Sequence, residues 1–128
     1  MITLNERHVA AAQEMAPPRL LIGKEERVQG QAGSFEHVSP STGQVQASVP
    51  AAGPRDVDDA VAAATEAAAE WSQWAPSARR RALFRLSELI TRDGAELSVL
   101  GALEAGIPVS LGTALCTEWL EHSAGWAE

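Results

Sequence analysis

Cys116 and His122 are the residue types that could form a nucleophile and its general base. A thiolate is generated when a neighbouring base or positive charge lowers the pKa of the thiol, and a third group usually orients the base. Six residues apart on a helix, the two side chains lie on different faces, and no orienting group is evident. The spacing argues against catalysis, and we expect Cys116 to be a packed thiol, as free cysteines usually are.

The spacing of the histidines does not indicate a metal-binding site either. Glu118 and His122 share a helix face at i and i+4, but two ligands without a third or fourth are typical of a surface pair. His8 and His37 have no partners nearby in sequence, and we interpret them as structural or exposed. The sequence therefore predicts no metal site.

A phosphate-binding loop would place glycines between a strand and a helix, and neither common spacing occurs. Gly101 and Gly106 fall within and after a predicted helix, which indicates helix spacing and a cap. The formal charge of −7 and the pI near 4.9 exclude a nucleic-acid binder, which needs a basic face. Four arginines form a basic cluster in this acidic chain: Arg79, Arg80, Arg81 and Arg85. With Glu88 and Asp93 nearby, we interpret the cluster as a solvated helix face. The alternative is an anion-binding site.

The composition indicates the compartment and the quality of the core. The single cysteine fits a reducing compartment, and no stretch has the length of a signal peptide or a membrane span, so we expect a soluble, cytoplasmic protein. The apolar content is 45%, but much of it is alanine and only 5% of residues are aromatic. The sequence therefore makes it doubtful that the chain buries a sufficient hydrophobic core by itself. The four tryptophans are expected to pack in a core or an interface, and contact with a ligand is the alternative. They are Trp71, Trp74, Trp119 and Trp126.

The first half of the chain predicts short strands. Residues 1–18 are expected to be a flexible leader with a short helix around residues 6–15. Gly23-Lys24 separates two short runs and predicts a two-residue hairpin. A turn over residues 39–43 separates the extended residues 34–38 from a strand in which Val45, Ala47 and Val49 alternate with polar residues.

The second half predicts helices. A first helix follows Pro54 and carries an alanine-rich stripe that allows another element to approach closely. A second begins after Ser77 and continues past a bend at Asp93-Gly94 to Gly106, and a third starts near Ser110. The predicted fold class is α+β, with short antiparallel β-hairpins followed by three helices.

The ordered set of motifs resembles the beginning of an aldehyde dehydrogenase. The resemblance covers almost everything from residue 20 onward, with departures at Ser39, Gly23-Lys24 and Ile107 that turns and caps tolerate. It is carried by LIG at residues 21–23, VSPSTGQV at 38–45, DVDDAVAAA at 56–64, Trp71 and Trp74, residues 79–90, LEAGIP at 103–108 and AGWAE at 124–128.

The resemblance implies that residues 19–128 are the amino-terminal part of an NAD(P)-binding domain of the α/β aldehyde dehydrogenase fold. The family's nucleotide-binding motif, catalytic cysteine, glutamate base, oxyanion asparagine and oligomerisation strands would all follow residue 128, so Cys116 is not the family nucleophile. The third helix borders the aldehyde entrance tunnel in the family. Leu111, Leu115 and Trp119 would face that tunnel, unless they are plain core residues.

The expected function follows from the resemblance. The full-length relative would oxidise an aldehyde to a carboxylic acid with NAD or NADP and would form homo-oligomers, whereas these 128 residues should bind no cofactor and be inactive alone. The sequence ends within a motif and a helix, which suggests truncation and a partner in the remainder of the dehydrogenase chain. The alternatives are a non-catalytic helical interaction module, a subunit completed by a second polypeptide, or a remnant without function.

Overall fold

The computed structural model describes residues 3–127, apart from the side chains of Leu4, Asn5 and Arg7. The elements follow the order α1 (Leu4–Glu14), β1 (Leu20–Ile22), β2 (Glu25–Arg27), β3 (Ser34–Val38), β4 (Val45–Pro50), α2 (Pro54–Gln73), α3 (Pro76–Arg92), α4 (Gly94–Ala105), a 3-10 helix (Val109–Leu111) and α5 (Ala114–Gly125). The predicted class of antiparallel hairpins followed by helices is confirmed. The chain divides into two compact units, Met1–Glu70 and Trp71–Glu128.

The first unit contains two separate hairpins. β1 and β2 pair antiparallel across Gly23-Lys24, and Gly23 takes the positive φ of 60° that a two-residue turn beginning with glycine requires. β3 pairs antiparallel with β4, and the turn between them is closed by the Ser39 amide, which donates to the Gln44 carbonyl at 2.8 Å. Both predicted hairpins are therefore present.

The leader contains α1, and its first turn carries a capping box. The Thr3 hydroxyl accepts from the Glu6 amide at 3.2 Å, while the Glu6 carboxylate accepts from the Thr3 amide at 2.7 Å. These bonds lower the pKa of Glu6. The short helix predicted for this region is confirmed, and the flexibility of residues 1–18 stays a prediction.

The second unit is helical and differs from the prediction in three places. α3 begins at Pro76, with Ala75 as its N-cap residue and no side-chain cap, and not after Ser77. The predicted second helix is divided at Asp93 into α3 and α4, and α4 ends at Gly106, whose left-handed φ of 68° matches the predicted cap. The predicted third helix begins at Ala114 and not near Ser110, because Gly112 at φ 57° separates it from a 3-10 turn.

α3 and α5 pack against each other through polar contacts as well as small side chains. The buried Ser87 hydroxyl donates to a Glu121 carboxylate oxygen at 2.9 Å. The Arg79 guanidinium donates to the Trp74 carbonyl at 3.0 Å and to the Ala127 carbonyl at 3.2 Å. The predicted solvated face therefore describes Arg85, which pairs with Glu88 at 2.8 Å, but it does not describe Arg79.

Few apolar side chains of the described residues are buried. Leu103 and Ala124 are the buried hydrophobic residues, and both lie in the second unit. The doubt about a self-sufficient core is therefore confirmed.

Candidate functional site

α5 presents its largest apolar side chains to solvent. Leu115 and Trp119 lie one turn apart on the same face, and their exposed fractions are 64% and 72%. Leu111 precedes them in the 3-10 helix and is 61% exposed. The structure thus places all three predicted tunnel residues on the surface, although Leu111 lies outside the helix to which the prediction assigned it.

The exposed face exists because α5 is anchored by its opposite side. Ala124 is fully buried there, and Glu121 receives the hydrogen bond from Ser87 on α3. The helix therefore points a carboxylate and small residues at its neighbour and leaves leucine and tryptophan uncovered. Contiguous apolar surface of this kind is rare on a complete soluble monomer and marks an interaction or ligand-binding face.

The same helix carries the thiol and imidazole that could have formed a catalytic pair. Cys116 is exposed, so the prediction of a packed thiol is wrong, because no described element covers this side of α5. His122 accepts a hydrogen bond at Nε2 from the Trp126 indole N–H at 3.1 Å. An imidazole whose Nε2 lone pair is already engaged by an indole offers no base to a thiol.

Metal and nucleotide sites do not form among the described residues. No group of three or more histidine, cysteine, aspartate or glutamate side chains converges anywhere between residues 3 and 127. The glycines with positive φ in the same range lie in strand turns and helix ends, not between a strand and a helix as a diphosphate cradle requires. These glycines with positive φ therefore do not form a diphosphate cradle.

A second cluster ties the first hairpin to α2 and was not predicted as a unit. Asp56 is only 6% exposed, and its carboxylate accepts from the Gln31 amide at 2.7 Å, the Gly53 amide at 2.9 Å and the Arg27 guanidinium at 3.0 Å. The two amides and then Arg27 hold the pKa of Asp56 below its usual range. Sequence reasoning assigned Asp56 only to the helix dipole, because Gln31 and Arg27 lie far away along the chain.

Arg27 also bridges the cluster to the helix surface. Its guanidinium lies 2.9 Å from a Glu25 oxygen and 2.8 Å from an Asp59 oxygen, and these carboxylates raise the pKa of Arg27 further. Every partner in the cluster belongs to the first hairpin, the loop after it, the residue before α2 or the first turns of α2. The cluster is thus architectural and contains no group placed to act on a substrate.

The remaining histidines are structural. His8 on α1 lies 3.3 Å from the Ser39 hydroxyl at the buried start of the β3–β4 turn. His37 on β3 is bonded to Gln46 on β4 at 3.0 Å. A cavity of about 140 Å³ opens beside His8, but its other lining residues are small or uncharged: Val9, Ala12, Gln13, Thr42, Gln44, Val45 and Gln46. Both histidines thus have hydrogen-bond partners within the first unit, which agrees with the first of the two alternatives, structural or exposed, given by the sequence.

No helix in the described part of the chain combines the length and the apolar character that crossing a bilayer requires.

Comparison with known proteins supplies the family. The sequence model of the Aldehyde dehydrogenase family matches residues 27–128. Phenylacetaldehyde dehydrogenase of Pseudomonas fluorescens is 34% identical over 98% of this chain, which covers 26% of that relative. Betaine aldehyde dehydrogenase 1 of Rhizobium meliloti is 41% identical over 66% of this chain and 18% of the relative.

Solved structures agree with the sequence matches. A mutant aldehyde dehydrogenase from Bacillus cereus superimposes with a TM-score of 0.78 at 29% identity, covering 98% of this chain and 26% of the other. An indole-3-acetaldehyde dehydrogenase of P. syringae, in complex with NAD+ and IAA, gives 0.78 at 26% identity, covering 92% and 25%. The chain spans about a quarter of the length of these proteins. It belongs to the aldehyde dehydrogenase family and matches an amino-terminal portion of it.

Proposed function

We propose that this chain contributes the amino-terminal part of an NAD- or NADP-dependent aldehyde dehydrogenase and is inactive without the rest. The observation that carries the proposal is the match of nearly the whole chain, 98%, to only 26% of a solved aldehyde dehydrogenase. The part of the chain that the structure describes holds no thiol–base pair and no dinucleotide cradle. The reacting groups and the nucleotide site would belong to the remaining three-quarters, which would also carry the contacts between subunits.

The compartment is part of the same proposal. One exposed free thiol suits a reducing environment, and the matched relatives are aldehyde dehydrogenases. We place the protein in the cytoplasm. A fluorescent fusion that accumulated in an oxidising compartment would contradict this placement.

Reconstitution tests the function. The chain is co-expressed with the rest of the Pseudomonas fluorescens phenylacetaldehyde dehydrogenase, that is, with that enzyme lacking the portion this chain matches. We expect phenylacetaldehyde-dependent NADH formation from the purified pair, because the two pieces together hold every reacting group. The rest of the relative expressed alone is the control, and equal activity with and without this chain would contradict the proposal.

The apolar surface formed by Leu115 and Trp119 of α5 and by Leu111 of the preceding 3-10 helix is proposed to line the aldehyde's path in the assembled enzyme. Support comes from its exposure and its apolar character, which suits a hydrophobic substrate. In the reconstituted pair, Trp119→Ala should raise KM for phenylacetaldehyde by about tenfold while kcat changes little. Glu118→Ala, one residue away on another face, is the matched control, and equal effects of both variants would remove the assignment.

A further inference from the structure

An apolar groove runs between the first hairpin and α2 in the first unit. It has a volume of about 380 Å³, and its side chains are apolar except for Asp56. Leu21, Val57 and Val61 are its large exposed side chains, with exposed fractions of 71%, 53% and 60%. Its complete lining is Leu20, Leu21, Ile22, Ala52, Asp56, Val57, Ala60, Val61 and Ala64.

The groove is built into the fold and is not a gap beside a loose hairpin. Arg27 at the end of β2 binds both Asp56 and Asp59 of α2, at 3.0 Å and 2.8 Å. At the turn, a Cβ placed on Gly23 would lie 3.4 Å from the Ala63 Cβ, which is ordinary van der Waals contact. The end of β2 is thus held to α2 by Arg27, the turn at Gly23 lies beside Ala63, and the apolar groove stays open along the helix.

The chemistry of the groove selects its occupant. A small ligand would need a polar group to orient it, and Asp56 is already bonded to Gln31, Gly53 and Arg27. A second copy of this chain is disfavoured by charge, because residues 1–70 carry ten acidic and five basic side chains, and two such units would repel each other. The remaining candidate for the groove's occupant is an apolar secondary-structure element from another segment of the polypeptide.

The floor of the groove indicates what shape that element has. Ala60 and Ala64 are spaced i and i+4 on α2, and the small side chains let a second helix approach to about 8 Å between axes. Leu21 and Val61 stand beside them and would pack between the side chains of the incoming helix. The relatives are about four times as long as this chain, so their remaining residues could supply the segment that covers the groove.

We infer that this groove receives an apolar face of a helix from the rest of the dehydrogenase polypeptide, an inference that rests on the proposed function. Burial of Leu21, Val57 and Val61 by that helix would supply hydrophobic stabilisation that this chain cannot supply by itself. The groove is therefore an assembly surface, separate from the α5 face proposed to line the substrate's path.

Two variants of α2 test the inference. Val61→Glu places a carboxylate in the groove, whereas Ala62→Glu places it on the adjoining exposed position that does not line the groove. Each affinity-tagged 128-residue chain is co-expressed with the rest of the Pseudomonas fluorescens enzyme, and the co-purified partner is quantified. We expect wild type and Ala62→Glu to retain the partner and Val61→Glu to lose it by at least about tenfold, because the carboxylate would be desolvated.

The controls separate the possible failures. Circular dichroism of each chain alone should be unchanged, since Val61 is already exposed. If Val61→Glu and wild type recover equal amounts of the partner, the inference that the groove binds a helix is overturned, but the proposed function is not affected. A chain that forms a dimer by light scattering, and loses it on Val61→Glu, would assign the groove to a second copy and overturn the inference. No partner with any variant would overturn the proposed function, and the groove assignment with it.

Discussion

Replacing Gly30 with alanine is expected to destabilise the strand region of the first unit strongly. A Cβ on Gly30 would lie 2.0 Å from the Ala51 carbonyl oxygen and 2.5 Å from its carbon. These are backbone atoms, so no side-chain rotation relieves the overlap. Two hydrogen bonds are formed at that spot, from the Ala32 amide to the Ala51 carbonyl at 3.0 Å and from the Ala51 amide to the Gly33 carbonyl at 2.8 Å.

The alanine must displace this backbone, which costs about 2–3 kcal/mol of unfolding free energy. In a unit of this size the melting temperature should fall by about 10 °C or more. Amide hydrogen exchange reports the effect locally, since the Ala32 and Ala51 amides should lose protection. Gly125→Ala is the control, because a Cβ there meets nothing within 4 Å. Unchanged exchange at Ala32 and Ala51 in Gly30→Ala would show that the backbone does not pass this closely.

Asp56→Asn is expected to loosen the attachment of the first hairpin to α2. The carboxylate accepts three hydrogen bonds, and an amide group offers one acceptor atom in place of two. Arg27 would lose its most buried partner. At pH 7 the melting temperature should fall by about 5–10 °C. Asp58→Asn, on the same turn but exposed, is the matched control and should change it little.

The effect of Asp56→Asn depends on pH in a defined direction. The pKa of Asp56 is lowered in the folded chain by the Gln31 and Gly53 amides and by Arg27, so the folded state binds its proton less readily than the unfolded state. The stabilisation is therefore complete above the unfolded value near 3.8 and is lost as the pH falls through the lower folded value. Melting curves of wild type and Asp56→Asn should converge in acid. A difference that stays constant from pH 7 to strongly acidic pH would mean that the charge of Asp56 contributes nothing.

Local chemistry made part of this fold predictable. Gly23-Lys24 between two short runs predicted the first hairpin, and the structure forms it with the expected positive φ at Gly23. Gly106 ended its helix in the predicted way. The turn and the helix cap each depend on residues only a few positions apart, so the sequence alone is sufficient to predict them.

Long-range contacts were not predictable in the same way. Asp56 meets Gln31 and Arg27 across 25 and 29 residues, and no periodicity indicates such pairs. Beside the helix break at Asp93-Gly94, the Thr113 hydroxyl would lie 3.1 Å from a Cβ on Gly94. That approach comes from the segment before α5, and the sequence indicated at most a bend at Asp93-Gly94.

The candidate site was predictable in its residues and not in its surroundings. Helical spacing placed Leu115 and Trp119 on one face, as the structure has them. Helical spacing does not say which face of α5 is covered, and Cys116 was wrongly expected to be packed. Ser87 and Glu121 settle the orientation of α5, and they are 34 residues apart.

Turnover by the isolated chain tests the central claim most directly. The claim is that these 128 residues form a supporting part of an aldehyde dehydrogenase and hold none of its reacting groups. The purified chain, incubated with a panel of aldehydes and either NAD or NADP, should form no reduced nucleotide above a protein-free blank. Aldehyde-dependent reduction of either nucleotide by the chain alone, proportional to its concentration, would contradict the account.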